Sequence, residues 1–254
     1  MRHIWWANRI LIASALAIVA SEVNVDRIRG QGLDTRIPRL ANGKPNLNAP
    51  PPKTADGKPD LSGIWRNRED KYRRNLAADF PRLVLQPSAA ALFKERQGSG
   101  GKANPAARCL PRGMPASMLV REYPWKLVQT PSFVLILFDE ALDFRQIHLD
   151  GRKLPEDPTP TWMGYSVGRW EGDTLVSETI GVSQDTWLDD VGHPHSDAMR
   201  VLERFRRRTV GTMDIEIMIQ DAKAYSRSWA AMVHFDLLPE ADLDEHICPV
   251  QGTP

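Results

Sequence analysis

Beyond residue 124 the chain runs in short stretches of alternating apolar and polar residues broken by turn formers, the period-two signature of strands with one buried face. These stretches fall at 125 to 130, 133 to 138, 144 to 149, 164 to 170, 174 to 180, 199 to 207, 213 to 220 and 229 to 236, with no helical pattern between them. Pro131-Ser132, Glu171-Gly172-Asp173 and Val210-Gly211 are tight-turn sequences that join sequence neighbours. Consecutive strands are therefore expected to run antiparallel, as a meander. A meander of this length loses its exposed edges by closing on itself, so a mainly β barrel is predicted, with an open β-sandwich as the alternative.

Upstream the pattern differs. Gly63-Ile64-Trp65 reads as a first strand, and the run from Ser88 through Ala89, Ala90, Ala91, Leu92, Phe93, Lys94 and Glu95 reads as one short helix near 88 to 97, capped by Ser88 and ended by Gly98. Residues 22 to 60 are expected to form an extended arm, because Pro38, Pro45, Pro50, Pro51, Pro52 and Pro59 fix φ and remove backbone donors. The arm holds a small repeat. Ala41 to Asn48 matches Ala55 to Ser62, each an Asx-Gly turn followed by Lys-Pro and a leucine that is a candidate for burial. The organisation that results is a leader at 1 to 21, the arm at 22 to 60, and a single lipocalin-like (calycin-type) barrel domain at 61 to 254.

Strand parity names the interior. Met213, Ile215, Ile217 and Ile219 share one face of their strand, opposite Asp214, Glu216 and Gln220. On the preceding strand Met199, Val201 and Phe205 share a face with Glu203, while Arg200, Arg204, Arg206 and Arg208 take the other. A carboxylate on an apolar face is the anomaly, since a buried Glu is either paired or has its pKa raised. One reading pairs it with an arginine at a barrel end, such as Arg204 or Arg169; the other makes it a working acid. Arg206-Arg207-Arg208 reads as a solvated hairpin end.

Composition changes this picture little. With 254 residues, 33 Lys plus Arg against 32 Asp plus Glu, and 42% hydrophobic residues, the chain has no net field that would draw nucleic acid. The first residues matter more. Arg2 and Arg9 precede the uncharged apolar run Ile10 to Ala20, which ends in the small pair Ala20 and Ser21, and this reads as a signal peptide. Periplasmic or secreted location follows, without stable membrane insertion once the leader is cleaved. In an oxidising compartment the two cysteines, Cys109 and Cys248, are expected to form a disulfide.

Candidate chemistry gathers in the long connection from Ser183 to Asp197, which holds Asp185, Trp187, Asp189, Asp190, His193 and His195. His195 is the expected acid or base, Asp189 the group that orients it, and Glu203 the partner facing it across a ligand. Trp162, Tyr165, Trp170, Trp187, His148 and His193 are the expected binding residues. His193-Pro194-His195 could offer two metal ligands, with His148 or Glu203 as a third, but a lone HxH is a weak signal, and the expectation is no metal and no cofactor. No GxSxG elbow, P-loop, GxGxxG, HExxH or EF-hand loop is present.

The runs 144 to 152, 160 to 175, Asp185-Thr186-Trp187-Leu188-Asp189, Gly192-His193-Pro194-His195 and Glu203 to Arg207 resemble a large family of exported bacterial proteins of unassigned function. The resemblance covers roughly residues 55 to 250. The family's Cys-Leu-Pro and Tyr-Val-Cys patterns are similar to Cys109-Leu110-Pro111 and His246-Ile247-Cys248, with His246 in place of the tyrosine. It implies export and one compact domain, and no reaction. Two function classes follow from the residues: a cofactor-free lyase, isomerase or hydrolase acting at the barrel mouth on a small molecule, or a non-catalytic binding protein for an apolar or aromatic ligand.

Overall fold

A computed structural model describes residues 37 to 141, 143 to 244 and 246, which lie in one compact unit. Nine strands close into a barrel in sequence order: β1 Gly63–Asn67, β2 Trp125–Gln129, β3 Phe133–Phe138, β4 Phe144–His148, β5 Tyr165–Glu171, β6 Thr174–Ile180, β7 Arg200–Arg207, β8 Thr212–Gln220 and β9 Trp229–Leu237. The eight downstream strands lie where the alternation puts them. Gly63-Ile64-Trp65 supplies the ninth, pairing with β2 on one side and β9 on the other to complete the wall.

One pair departs from the expected meander. β4 and β5 run parallel, because residues 149 to 164 carry the chain back along the barrel before β5 starts at the end where β4 began. All other neighbours are antiparallel. The parallel contact is also the shortest. It has two register pairs, Ile147 with Ser166 and His148 with Val167, against seven between β5 and β6 and eight between β7 and β8. The strands approach closely there: a Cβ on Gly168 would lie 2.9 Å from the side chains of Ile147 and Leu149. At the entry to β5, Gly164 takes φ +67°, and a Cβ would meet the Ile180 carbonyl oxygen at 2.7 Å.

Inward positions alternate as parity predicts. Ile215, Ile217 and Ile219 on β8, Val201 and Phe205 on β7, and Val233 and Phe235 on β9 are fully buried, and they meet Trp125, Leu127, Val134 and Ile136 across the interior. A barrel of about eight strands is just wide enough for its side chains to fill.

The end reached by the β7–β8 turn is sealed by a buried arginine. Arg207 lies on the inward face of β7 and is 5% exposed, so the solvated arginine run expected at 206 to 208 is corrected at its middle member. Its Nη2 donates to the Val210 carbonyl at 2.6 Å, Nη1 donates to the Asp60 and Ser62 carbonyls, and the guanidinium lies 5.0 Å from the ring centroid of Trp65. The Asp60 carbonyl ends the arm, Ser62 leads into β1, and Val210 lies in the β7–β8 turn. The arm repeat folds as two copies of one turn: Leu40 N–H donates to Lys44 and Gly43 N–H to Leu40, and fourteen residues on Thr54 donates to Lys58 and Gly57 to Thr54. Arm and barrel meet where Gly211 N–H donates to Leu47 and Val210 N–H to Ala49.

The other end carries the helices. α1 Lys71–Arg74 is a single turn, and α2 Pro87–Gly98 is the predicted helix, with Gln86 as N-cap in place of Ser88 because Pro87 takes the first helical position. Met114, Met118 and Leu119 are buried over this end, held by Trp125 Nε1 donating to the Met118 carbonyl and Asn67 Nδ2 to that of Leu119. None of the described helices is long and apolar enough to cross a membrane. The signal peptide expected at 1 to 21 and Cys248 lie outside the described residues.

Replacing Arg207 with Ala would leave the buried Asp60 and Val210 carbonyls without their donor, so a loss of about 3 kcal/mol in unfolding free energy is expected from urea titration. An unchanged midpoint would mean that the arm, not Arg207, seals that end.

Candidate functional site

A polar cluster lies inside the barrel and spans the parallel seam. Arg145 points inward from β4 and is 1% exposed; Glu203, inward on β7, is 0% exposed. The two are bidentate, with Nη1 donating to Oε1 at 2.9 Å and Nη2 to Oε2. Arg145 Nε donates to Ser166 Oγ on β5 at 3.0 Å, and Nη2 also donates to Thr179 Oγ1 on β6 at 2.7 Å. Ser177 Oγ completes the carboxylate shell by donating to Glu203 Oε2 at 2.7 Å, while Ser166 and Thr179 hydroxyls lie 2.8 Å apart. No polar side-chain atom of this cluster is left without a partner.

The predicted carboxylate on the apolar face is therefore real, but its arginine is Arg145 and not Arg204 or Arg169. Arg204 bonds Glu171 on the outside, as does Arg169. Parity alone could have raised Arg145 as the candidate, since it alternates with Ile147 on a strand whose outward residues are Phe144, Gln146 and His148.

The histidine loop folds over the helical end of the barrel, away from Glu203. Asp189 is 3% exposed, and its Oδ2 sits 2.6 Å from His193 Nδ1 while accepting from the Leu76 N–H at 2.8 Å. Its Oδ1 accepts from the Gly192 and His193 N–H groups. Asp189 thus orients His193, not His195, and ties the loop to the segment that follows α1. His193 also stacks on Phe93 of α2, with centroids 4.5 Å apart.

His195 is 4% exposed, with Nδ1 3.1 Å from the Ser196 carbonyl and Nε2 2.7 Å from Thr186 Oγ1. A carbonyl only accepts, so Nδ1 carries a proton, while the single Thr186 hydroxyl proton has two acceptors within reach, the Ser183 carbonyl at 2.9 Å and, in the neutral ring, Nε2. Burial pushes the His195 pKa below the usual histidine range against the pull of the Ser196 carbonyl. Both ring nitrogens are occupied, and burial favours the neutral ring. His195 forms part of the wall of a cleft of about 270 Å³ with Ser88, Leu92 and Lys223, in which Glu203 has no part. The expected opposition of His195 and Glu203 across one ligand is not formed: the two share neither a hydrogen bond nor a cavity among the described residues.

The predicted tryptophans also separate. Trp187 is 4% exposed beneath the Arg96 guanidinium, at 5.0 Å. Trp170 borders a cleft of about 360 Å³ beside the arm turn at Thr54 to Asp56. Trp162, Tyr165 and His148 do come together. They line a cleft of about 320 Å³ on the outer wall, where β4 and β5 diverge on the other side of their two-residue contact. The His148 and Tyr165 rings stack with centroids 5.4 Å apart. Sequence reasoning missed Phe144 and Asp143, which complete this cleft: Phe144 is 59% exposed, and Asp143 Oδ2 is buried without a hydrogen-bond partner.

No group of three His, Cys, Asp or Glu residues stands together as a metal site among the described residues. His193 Nδ1 and both nitrogens of His195 are engaged with protein oxygens. Comparison with protein families, curated proteins and solved structures finds no match to this chain.

Two outcomes are expected here. Glu203→Ala should cost about 3 to 5 kcal/mol in urea unfolding, while the double change Arg145→Met with Glu203→Leu should recover most of it, because the penalty arises from a buried charge left alone. If the double variant is no better than the single one, the cluster does more than satisfy itself. His195 supplies a pH test. Its folded pKa lies below its unfolded value, so its stabilising contribution is complete above about pH 6.5 and is lost as pH falls below that value. Between pH 7 and pH 5.5 the wild-type unfolding free energy should decline, and His195→Gln should flatten the decline.

Proposed function

We propose that this chain is an exported β-barrel that binds a small apolar or aromatic molecule in the cleft lined by Phe144, His148, Trp162 and Tyr165. The observation that carries this reading is the gathering of those four rings, one of them 59% exposed, at the one place where the barrel wall is held by only two residue pairs. Concave sites lined by aromatic side chains with a few polar groups are the usual form of small-ligand sites. Burial pushes the His148 pKa down, aided by nearby Arg152, so the histidine presents a neutral ring to the cleft.

The binding reading is better supported than the catalytic one. A lyase, isomerase or hydrolase working through His195, Asp189 and Glu203 would need those groups free to meet a substrate together. Each is committed to protein partners: His195 to Thr186 and Ser196, Asp189 to His193 and Leu76, Glu203 to Arg145 and Ser177. In this proposal they brace the barrel.

The lipocalin-like character, the signal peptide at 1 to 21, periplasmic or secreted location, and the disulfide between Cys109 and Cys248 belong to the same proposal. So does membership of the exported bacterial family that the sequence resembles.

Indole is a suitable probe. Titration calorimetry should show binding that weakens at least about tenfold in Trp162→Ala, the loss of roughly 1.4 kcal/mol expected for one removed aromatic wall. Trp170→Ala, in the other cleft, should leave it unchanged. Equal affinity of wild type and Trp162→Ala would refute the site. Export is checked separately by the intact mass of periplasmic material, which should begin after the leader and lack two hydrogens relative to the reduced chain.

A further inference from the structure

Asp143 is the uncompensated charge of the seam cleft. Its Oδ1 accepts only a 3.3 Å bond from the N–H of Phe144, and Oδ2 is buried with no partner at all. No Lys or Arg forms an ion pair with it among the described residues. Of the arginines about the cleft, Arg145 is bound to Glu203 in the interior, and Arg152 is paired with Asp150 while its Nη1 donates to the Tyr165 hydroxyl at 3.4 Å. A carboxylate so short of donors is costly, and it gains from a ligand that brings one to it. The same cleft is lined by Phe144, Trp162 and Tyr165, and aromatic rings attract a cation through their quadrupoles.

We propose that the ligand of this cleft is a protonated amine carried on an aromatic or apolar body, its ammonium donating to Asp143 and its body lying against Trp162 and Tyr165. This rests on the binding reading above and adds the ligand's charge to it. Desolvation raises the Asp143 pKa from the ordinary aspartate value, which is the sign of a carboxylate short of stabilising partners. An anionic ligand would meet the carboxylate as a like charge, and a hydrocarbon would bring it no donor.

Three probes of similar shape separate these cases: phenethylamine, ethylbenzene and 3-phenylpropionate. By calorimetry or protein-observed NMR, phenethylamine should bind at least about tenfold tighter than ethylbenzene, and 3-phenylpropionate weaker than either. In D143N the amine should fall to the level of the hydrocarbon, with the melting temperature held; should D143N fail to fold, D143S is read in the same way. Equal binding of amine and hydrocarbon to the wild type, or an amine preference that survives at D143N, overturns the charge assignment while leaving the cleft as a binding site. If none of the three binds, or if Trp162→Ala leaves their binding unchanged, the cleft itself is refuted and this inference with it.

Discussion

The Arg145–Glu203 pair is what allows the barrel to close. Between β4 and β5 the backbone contributes two register pairs, the least of any junction in the wall. Arg145 reaches from β4 across this junction to Ser166 on β5, Thr179 on β6 and Glu203 on β7, so one side chain ties together four consecutive strands. Removing two charges from water costs several kcal/mol for each, and the attraction between them offsets this only when geometry is good and the remaining donors are satisfied. Those conditions hold here. Such a pair adds little net stability, but it discriminates strongly among registers, because sliding β4 by one residue would turn Arg145 outward and leave Glu203 alone in an apolar interior.

The two barrel ends are closed by different devices. At one, a single arginine, Arg207, gathers arm and turn carbonyls beneath Trp65. At the other, Asp189 gathers the N–H groups of Leu76, Gly192 and His193, and thereby fastens the histidine loop to the helical segment. In both cases a buried charge meets several backbone partners at once, and this is how a charged group becomes tolerable inside. With ends and interior occupied in this way, the unclosed part of the wall is the seam. Clefts of about 360 and 320 Å³ lie on either side of its two-residue contact.

The same charges that suggest an active site in the sequence are therefore what the fold needs for closure. Histidines and carboxylates near a long loop point to acid-base chemistry when their partners are unknown. Once Thr186, Ser196 and Leu76 are seen to fill their hydrogen-bonding capacity, the same residues read as anchors. Among the groups left with unused capacity are an exposed phenylalanine and a buried carboxylate oxygen at the seam.

Local pattern alone determined the nine strands, the helix, the twin turns of the arm, the inward face of β8 and the anomaly of Glu203, because each depends on periodicity or turn chemistry within a few residues. It also marked Trp162, Tyr165 and His148. Tertiary structure decided the rest. The parallel junction depends on the path of residues 149 to 164, whose prolines and polar residues carry no period that would set a direction. The partner of Glu203 comes from a strand 58 residues away, and Asp189 serves His193 in place of His195 because the loop turns back at Gly192. Pairings of this kind are set by which strands become neighbours in the closed wall, and no spacing along the chain records that.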